Sequence, residues 1–223
     1  MSIELEVAGD ERAAARRAAE LIAAAGAEAA GERGGFELAL SGGRSPWAML
    51  AILGELEEMP WARTQLFQVD ERVAAPGSED RNLTHMVLGL SMDHQASLRP
   101  MPVTQRDLDG AAREYESSLP ERFDLVHLGL GPDGHTASLV PDDPVLAVGD
   151  RRVAMTGGSY RGHPRMTLTY PELGNARRIL WLVTGADKRE PLAKLLAGDE
   201  SIPAGRVRNE EMVVVASEAA AAG

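Results

Sequence analysis

His135 is the residue best equipped for chemistry in this sequence. It stands in the turn GPDGH, directly after Asp124 to Leu130 (DLVHLGL), a run that reads as a buried strand ending in glycines. Imidazole is the side chain that ordinarily titrates near neutrality, so one placed at a strand end, open to ligand and solvent, suits proton transfer. Asp133 is close enough in sequence to influence the ring or to hold the turn. A histidine serving only as a turn or helix-start residue is the bland alternative. His85, His94, His127 and His163 lack this context, and His127, inside the strand, reads as a packed core histidine.

Three other loops carry unusual residue types. In LALSGGRSPWAML, Gly42 and Gly43 follow a strand, and Ser45-Pro46 starts a helix. Two glycines let the main chain approach a ligand, and the free N–H groups of a helix start can receive a phosphate. A strand-to-helix turn also needs glycine for ordinary reasons, and the Gly-Lys-Ser/Thr ending of a Walker loop is absent. Arg44, after the glycines, either adds a contact or faces solvent. In FQVDERVAAPGSEDRNL, Asp70, Glu71 and Arg72 follow a strand end. On a solvated turn such a trio is ordinary surface. At a strand's carboxyl end, Arg72 would suit a phosphate through its planar donors and Asp70 would orient a water or a sugar hydroxyl. In LVTGADKREPLAKLL, Lys188 falls near the first turn of a helix, where a cation opposes the helix dipole. A ligand role therefore suits Lys188 better than Lys194, and these are the only two lysines among 23 cations. Arg165 precedes a strand, Met166 to Thr169, and reaches either the cleft or solvent.

The elements that must position these residues alternate along the chain. Ile3 to Val7 reads as a half-exposed strand, and Asp10 caps an Ala-rich helix running to about Ala30, before Gly31, Gly34 and Gly35. Phe36 to Leu40 is a strand, and Ser45 and Pro46 offer a cap and a first-turn proline for a helix over Trp47 to Met59. Further strands are expected over Gln65 to Val69, Ala96 to Met101, Ile179 to Thr184 and Met212 to Ala216. Helices are expected over Asn82 to Leu90, Leu108 to Ser118 and Asp187 to Leu196, with the Ala-rich tail frayed. Strands alternating with helices imply an α/β fold, a mostly parallel sheet with helices on both faces. Ligands bind such sheets at the carboxyl ends of the strands. The loops after Leu40, Val69, Leu130 and Thr184 are therefore expected to meet. The length of 223 residues fits one domain, with room for a small lobe near 140–175.

Composition narrows the partners. The net charge of −11 disfavours nucleic acid and anionic membrane, which need clustered positive charge. A small anion needs only a local pocket of N–H groups and one or two cations. There is no cysteine. No secretory signal is evident, and no apolar run reaches the roughly 18 residues that span a bilayer. A cytoplasmic monomer acting on a small molecule is the expectation.

In order, SGGRSP, DER followed by Asn82, GPDGHTASLVP, PRMTLT and TGADK resemble the 6-phosphogluconolactonases, within the group that also holds the glucosamine-6-phosphate deaminases. The resemblance runs from about residue 36 to 208. It implies a Rossmann-like fold, no redox cofactor, no required metal, and hydrolysis of 6-phosphogluconolactone in the oxidative pentose phosphate pathway. It implies His135 as general base; Gly42, Gly43, Arg72 and Lys188 around the phosphate; and Asp70, Asn82 and Arg165 on the sugar side. The deaminases need a Glu five residues after this histidine, where the present sequence has Val140. That difference favours the lactonase branch. The stretch Pro203 to Val207 departs from the pattern, with Gly205 where serine is common.

Overall fold

The computed structural model describes residues 2–90 and 97–222. The first half of the chain runs β1 (Ser2–Ala8), α1 (Glu11–Arg33), β2 (Phe36–Leu40), α2 (Arg44–Glu55), β3 (Thr64–Gln68), β4 (Asp70–Arg72), α3 (Asn82–Gly89) and β5 (Ser97–Arg99). The second half runs α4 (Leu108–Ser118), β6 (Leu125–Gly129), β7 (Val153–Met155), β8 (Arg165–Leu168), α5 (Tyr170–Gly174), β9 (Arg178–Val183), α6 (Arg189–Leu196), β10 (Glu211–Ser217) and α7 (Glu218–Ala221).

Seven strands pair in the order β1-β10-β9-β6-β2-β3-β5, every ladder parallel. Strands covered on both faces are apolar throughout, and side chains alternate between two cores. Along β9, Leu180 and Leu182 pack under α1 and α2, whereas Ile179, Trp181 and Val183 face the core shared with α4 and α6. Along β2, Leu38 and Leu40 join the first core and Ala39 the second. Each fully buried Leu contributes roughly 2 kcal/mol of transfer free energy. The fold is thus the α/β sheet that the alternation of elements predicts.

Winding reverses at one place. From β2 the chain proceeds outward to β3 and β5, then returns to β6 on the other flank of β2 and continues to β9 and β10. Loops leaving β2 and β6 therefore diverge, opening a crevice at the carboxyl ends of the two strands. A second sheet of three antiparallel strands, β4-β8-β7, stands beside this crevice. Its Val153, Met166 and Leu168 pack into the same core as Val126 and Leu128 of the main sheet.

Several boundaries differ from expectation. Helix α1 continues through Gly31 to Arg33, because Gly31 is exposed and the left-handed stop comes at Gly34, with φ 82°. Helix α2 begins earlier and ends at Glu55, short of Met59. The alanine tail does not fray: α7 packs its Ala220 into the core. The strand expected over Ala96 to Met101 appears as β5; Ala96, like His94, lies outside the described residues. Among the described residues no helix is long and apolar enough to cross a membrane.

Candidate active site

The turn after β2 begins at Ser41. Gly43, with φ 119°, is the residue before α2, a conformation that favours glycine. Ser45 was the expected cap, but no side chain caps this helix. The Ser45 hydroxyl instead lies 2.5 Å from that of Thr184, tying the first turn of α2 to the end of β9. The uncapped N-terminus of a twelve-residue helix thus faces the crevice, where the dipole favours an anion. Gly42 is needed for a different reason: a Cβ there would fall 2.2 Å from Cγ of Asn82. Arg44 opens α2 by its backbone, and its side chain lies outside what the structure describes.

Strand β4 sorts Asp70, Glu71 and Arg72 by alternation. Asp70 and Arg72 line the cleft, whereas Glu71 points the other way and is fully buried. Glu71 accepts hydrogen bonds from the backbone N–H groups of Arg72 (2.7 Å), Asn82 (2.8 Å) and Leu83 (2.9 Å) and from Nε2 of Gln68 (2.9 Å). Nε of Arg81 adds an ion pair at 3.0 Å without hydrogen-bond alignment. Glu71 therefore serves as the anion at the start of α3 and sets Asn82 in place. The amide of Asn82 donates to the carbonyl of Asp70 at 3.1 Å and to its Oδ1 at 3.3 Å. The Ser138 hydroxyl donates to Oδ2 of Asp70 at 2.6 Å, and Nη1 of Arg165 stands 4.0 Å away. Burial pushes the Asp70 carboxyl up, against the opposing pull of Ser138 and Arg165.

The GPDGH turn closes on itself, Gly131 N–H to the His135 carbonyl at 2.8 Å and Gly134 N–H to the Gly131 carbonyl at 3.0 Å. From behind, Ala204 N–H donates to the Gly134 carbonyl at 2.9 Å. This contact brings the divergent Pro203 to Val207 stretch against the turn. Gly205 there leaves no room for a side chain, since a Cβ would lie 1.9 Å from the Asp199 carbonyl oxygen. Asp133 lies outside the cleft lining and supports the ring: its Oδ1 is 2.5 Å from Nδ1 of His135. Burial opposes the Asp133 charge, but hydrogen bonds from His135 and Tyr160 hold its carboxyl well below the usual range. Nε2 of His135, at the far edge of the ring, has no hydrogen-bond partner among the described residues.

The fourth loop supplies Lys188, the last residue of a short 3-10 turn ahead of α6. Its ammonium pairs at 2.6 Å with the exposed carboxylate of Asp187. Such a pair is worth at most about 1 kcal/mol and yields readily to a bound anion. Arg165 is buried rather than a surface arginine, with its guanidinium 5.0 Å from the Tyr160 ring centroid. His127 is a core residue as expected. His85 stacks on Trp47 at 3.7 Å, and His163 sits 3.5 Å from Asp80.

One cleft of about 1100 Å³ therefore joins Gly42, Gly43, Asp70, Arg72, Asn82, His135, Arg165 and Lys188. Its volume lies at the upper end for small-molecule sites, which run to roughly 1000 Å³. Ser138, Tyr160, Arg161 and Thr184 join the site beyond the residues that the sequence singles out. Thr184 closes a strand already singled out and was within reach; Tyr160 and Arg161 lie in a loop whose position follows only from β8. Among the described residues no three His, Asp or Glu side chains gather as a metal ion requires.

Known proteins resemble this chain over most of its length. The family model described as glucosamine-6-phosphate isomerases/6-phosphogluconolactonase matches residues 9–215. A 6-phosphogluconolactonase from Synechocystis is 37% identical over 184 residues, covering 76% of this chain and 75% of that protein. One from Nostoc is 34% identical over 210 residues, covering 88% and 86%. The crystal structure of 6-phosphogluconolactonase from Thermotoga maritima superposes with a TM-score of 0.87 at 27% identity, over 97% of this chain and 99% of that one.

Proposed function

The chain belongs to the glucosamine-6-phosphate isomerase/6-phosphogluconolactonase family, and from that premise we propose that His135 is the general base of its lactone hydrolysis. The enzyme is a carboxylic ester hydrolase that opens 6-phospho-D-glucono-1,5-lactone to 6-phosphogluconate, a step of the oxidative pentose phosphate pathway. The observation that carries the assignment is the His135 imidazole, engaged by Asp133 at Nδ1 and unpartnered at Nε2, in one cleft with the glycine turn and Lys188.

In this reading the phosphate rests on the Gly42–Gly43 turn and the start of α2, with Lys188 and Arg72 supplying charge. Binding there holds the lactone carbonyl in position far from the anchor. Asp70, Asn82 and Arg165 line the sugar side. Nε2 takes a proton from a water as that water attacks the carbonyl carbon. A C–O bond forms, the carbonyl electrons move to oxygen, and N–H groups or a guanidinium stabilise that oxyanion. Collapse breaks the bond to the ring oxygen, which leaves with the proton returned by His135. No serine nucleophile of the G-x-S-x-G kind is present, so a direct water attack fits better than an acyl-enzyme.

A deaminase would need an acid where Val140 stands, and Val140 is buried outside the cleft lining. The test is a pH-stat assay on freshly generated 6-phosphogluconolactone, with the spontaneous reaction subtracted. His135→Asn is expected to lower kcat by about 100-fold or more with little change in KM. Near-normal turnover in that variant would remove the base, and ammonia release from glucosamine 6-phosphate would move the chain to the other branch.

A further inference from the structure

The segment between β7 and β8 is not a loose loop. Thr156 donates to the Gly158 carbonyl at 2.8 Å and accepts from Arg165 N–H at 3.0 Å. The carboxylate of Asp143 takes the N–H groups of Gly157 and Gly158. Tyr160 and His163 pair across its tip. The ring of Tyr160 is gripped as well: Arg165 donates to its carbonyl at 3.1 Å and covers its face at 5.0 Å, and the imidazole of His135 meets its edge at 5.2 Å. A rigid hairpin tip thus delivers one phenol to the GPDGH turn. Its hydroxyl lies 2.8 Å from Oδ2 of Asp133 and 3.3 Å from Nδ1 of His135.

Counting protons fixes how these three groups must be arranged. Asp133 is an acceptor only, and its Oδ1 sits 2.5 Å from Nδ1. A bare Nδ1 would set two lone pairs against each other at that distance. The phenol has one proton. Spent on Nδ1, it would leave Oδ2 without a donor and the repulsion at Oδ1 untouched. Given to Oδ2, it leaves the phenol oxygen facing Nδ1 with a lone pair. Every contact is satisfied only when Nδ1 carries hydrogen. Burial and the carboxylate it faces both push the Tyr160 phenol up, so the donor keeps its proton.

We propose that Tyr160 is a positioning residue: it locks the carboxylate of Asp133 and thereby holds His135 as the Nδ1–H tautomer, keeping Nε2 bare toward the cleft. The inference rests on the reading of His135 as the base. Asp133 without the phenol is a weaker lock, since its side chain is one-third exposed (35%) and is held besides the ring only by the His135 N–H, at a long 3.3 Å to Oδ1. With the phenol on Oδ2, the carboxylate stays in place through both charge states of the ring, because the imidazolium also presents N–H at Nδ1.

Tyr160→Phe removes the hydroxyl and keeps the ring under Arg165. Expected is a fall in kcat of about tenfold, the loss of one positioning hydrogen bond, with KM within about twofold. Nitrogen-15 NMR of the imidazole, assigned by loss of the signal in His135→Asn, should pass from one tautomer to a mixture. A kcat within about twofold of the parent together with an unchanged Nδ1–H signature would overturn the proposal. So would a joint collapse of kcat and KM with an unchanged tautomer, which marks a packing residue. Should His135→Asn itself stay active, the base assignment falls, while the tautomer shift in Tyr160→Phe still decides whether the phenol controls the ring.

Discussion

Gly131 decides where the imidazole of His135 can stand. A Cβ at this position would fall 1.9 Å from Nδ1 of His135 and 2.7 Å from Oδ1 of Asp133. Its backbone is not in the left-handed region, so alanine is allowed by φ and opposed only by side chains, the ring of His135 first and the carboxylate of Asp133 second. Gly42 follows the same rule against Asn82. The obstructed group is the end of a movable side chain, so Gly131→Ala should fold and yet push the imidazole off Asp133. A displacement of about 1 Å costs on the order of 100-fold in rate, so kcat should fall by about that factor while KM holds. Steady-state kinetics beside a thermal melt checks this. Parental kcat in a folded Gly131→Ala would mean that the ring's seat against Asp133 is irrelevant to turnover. From sequence, Gly131 reads as a turn former and Gly42 as a turn former open to a phosphate. That they make room for His135 and Asn82 depends on contacts the local chain does not encode.

Among the elements, β4 was not legible in the sequence, whereas α3 falls where expected, at Asn82–Gly89. A three-residue strand is too short for any periodicity, and its ladder with β8 sets Asp70 opposite Thr167 and Arg72 opposite Arg165 across nearly a hundred residues. Sequence patterning named Arg72 and Arg165 separately but could not make them neighbours. The long elements were different: α4 and β2 fall where their apolar spacing predicts, because each buries a stripe or alternate faces that only one period satisfies. The cap of α2 misled because Ser45 is drawn to Thr184, a partner on another strand. Glu71 shows what the short elements are for. Four hydrogen bonds and the ion pair to Arg81 converge on one buried carboxylate that opens α3 and aligns Asn82. Glu71→Gln replaces one acceptor oxygen by a donor and leaves Arg81 buried without its counter-charge. The loss should be about 3 kcal/mol in urea unfolding, with KM raised through the loosened Asn82. A shift below about 0.5 kcal/mol, the range of an ordinary surface change, would mean that α3 is held by other contacts.

At the scale of the molecule, the reversal of winding between β2 and β6 gathers the site, and the same strands pass that site's demands into the core. An acidic chain of net charge −11 concentrates Arg72, Arg165 and Lys188 in the cleft, so attraction for a phosphorylated ligand is local while the outer surface stays anionic. β6, which carries the GPDGH turn at its end, holds His127 at its centre, fully buried and with neither ring nitrogen bonded among the described residues. Burial pushes this imidazole down to about 3. The unfolded chain takes up the proton near the ordinary pKa of about 6.5, well before the folded chain does. Above about pH 6.5 the ring is neutral in both states and carries no proton-linked cost, and stability drains away as pH falls from there toward about 3. Carboxylates add their own acid sensitivity, so the contribution of His127 is isolated by subtraction. His127→Leu keeps the apolar volume near β2 and β9 and removes the titration. Its stability relative to the parent in urea unfolding should grow by about 2 to 3 kcal/mol between about pH 7 and about pH 4.5. A difference that stays constant over that range would show that the buried ring finds a partner for its charge.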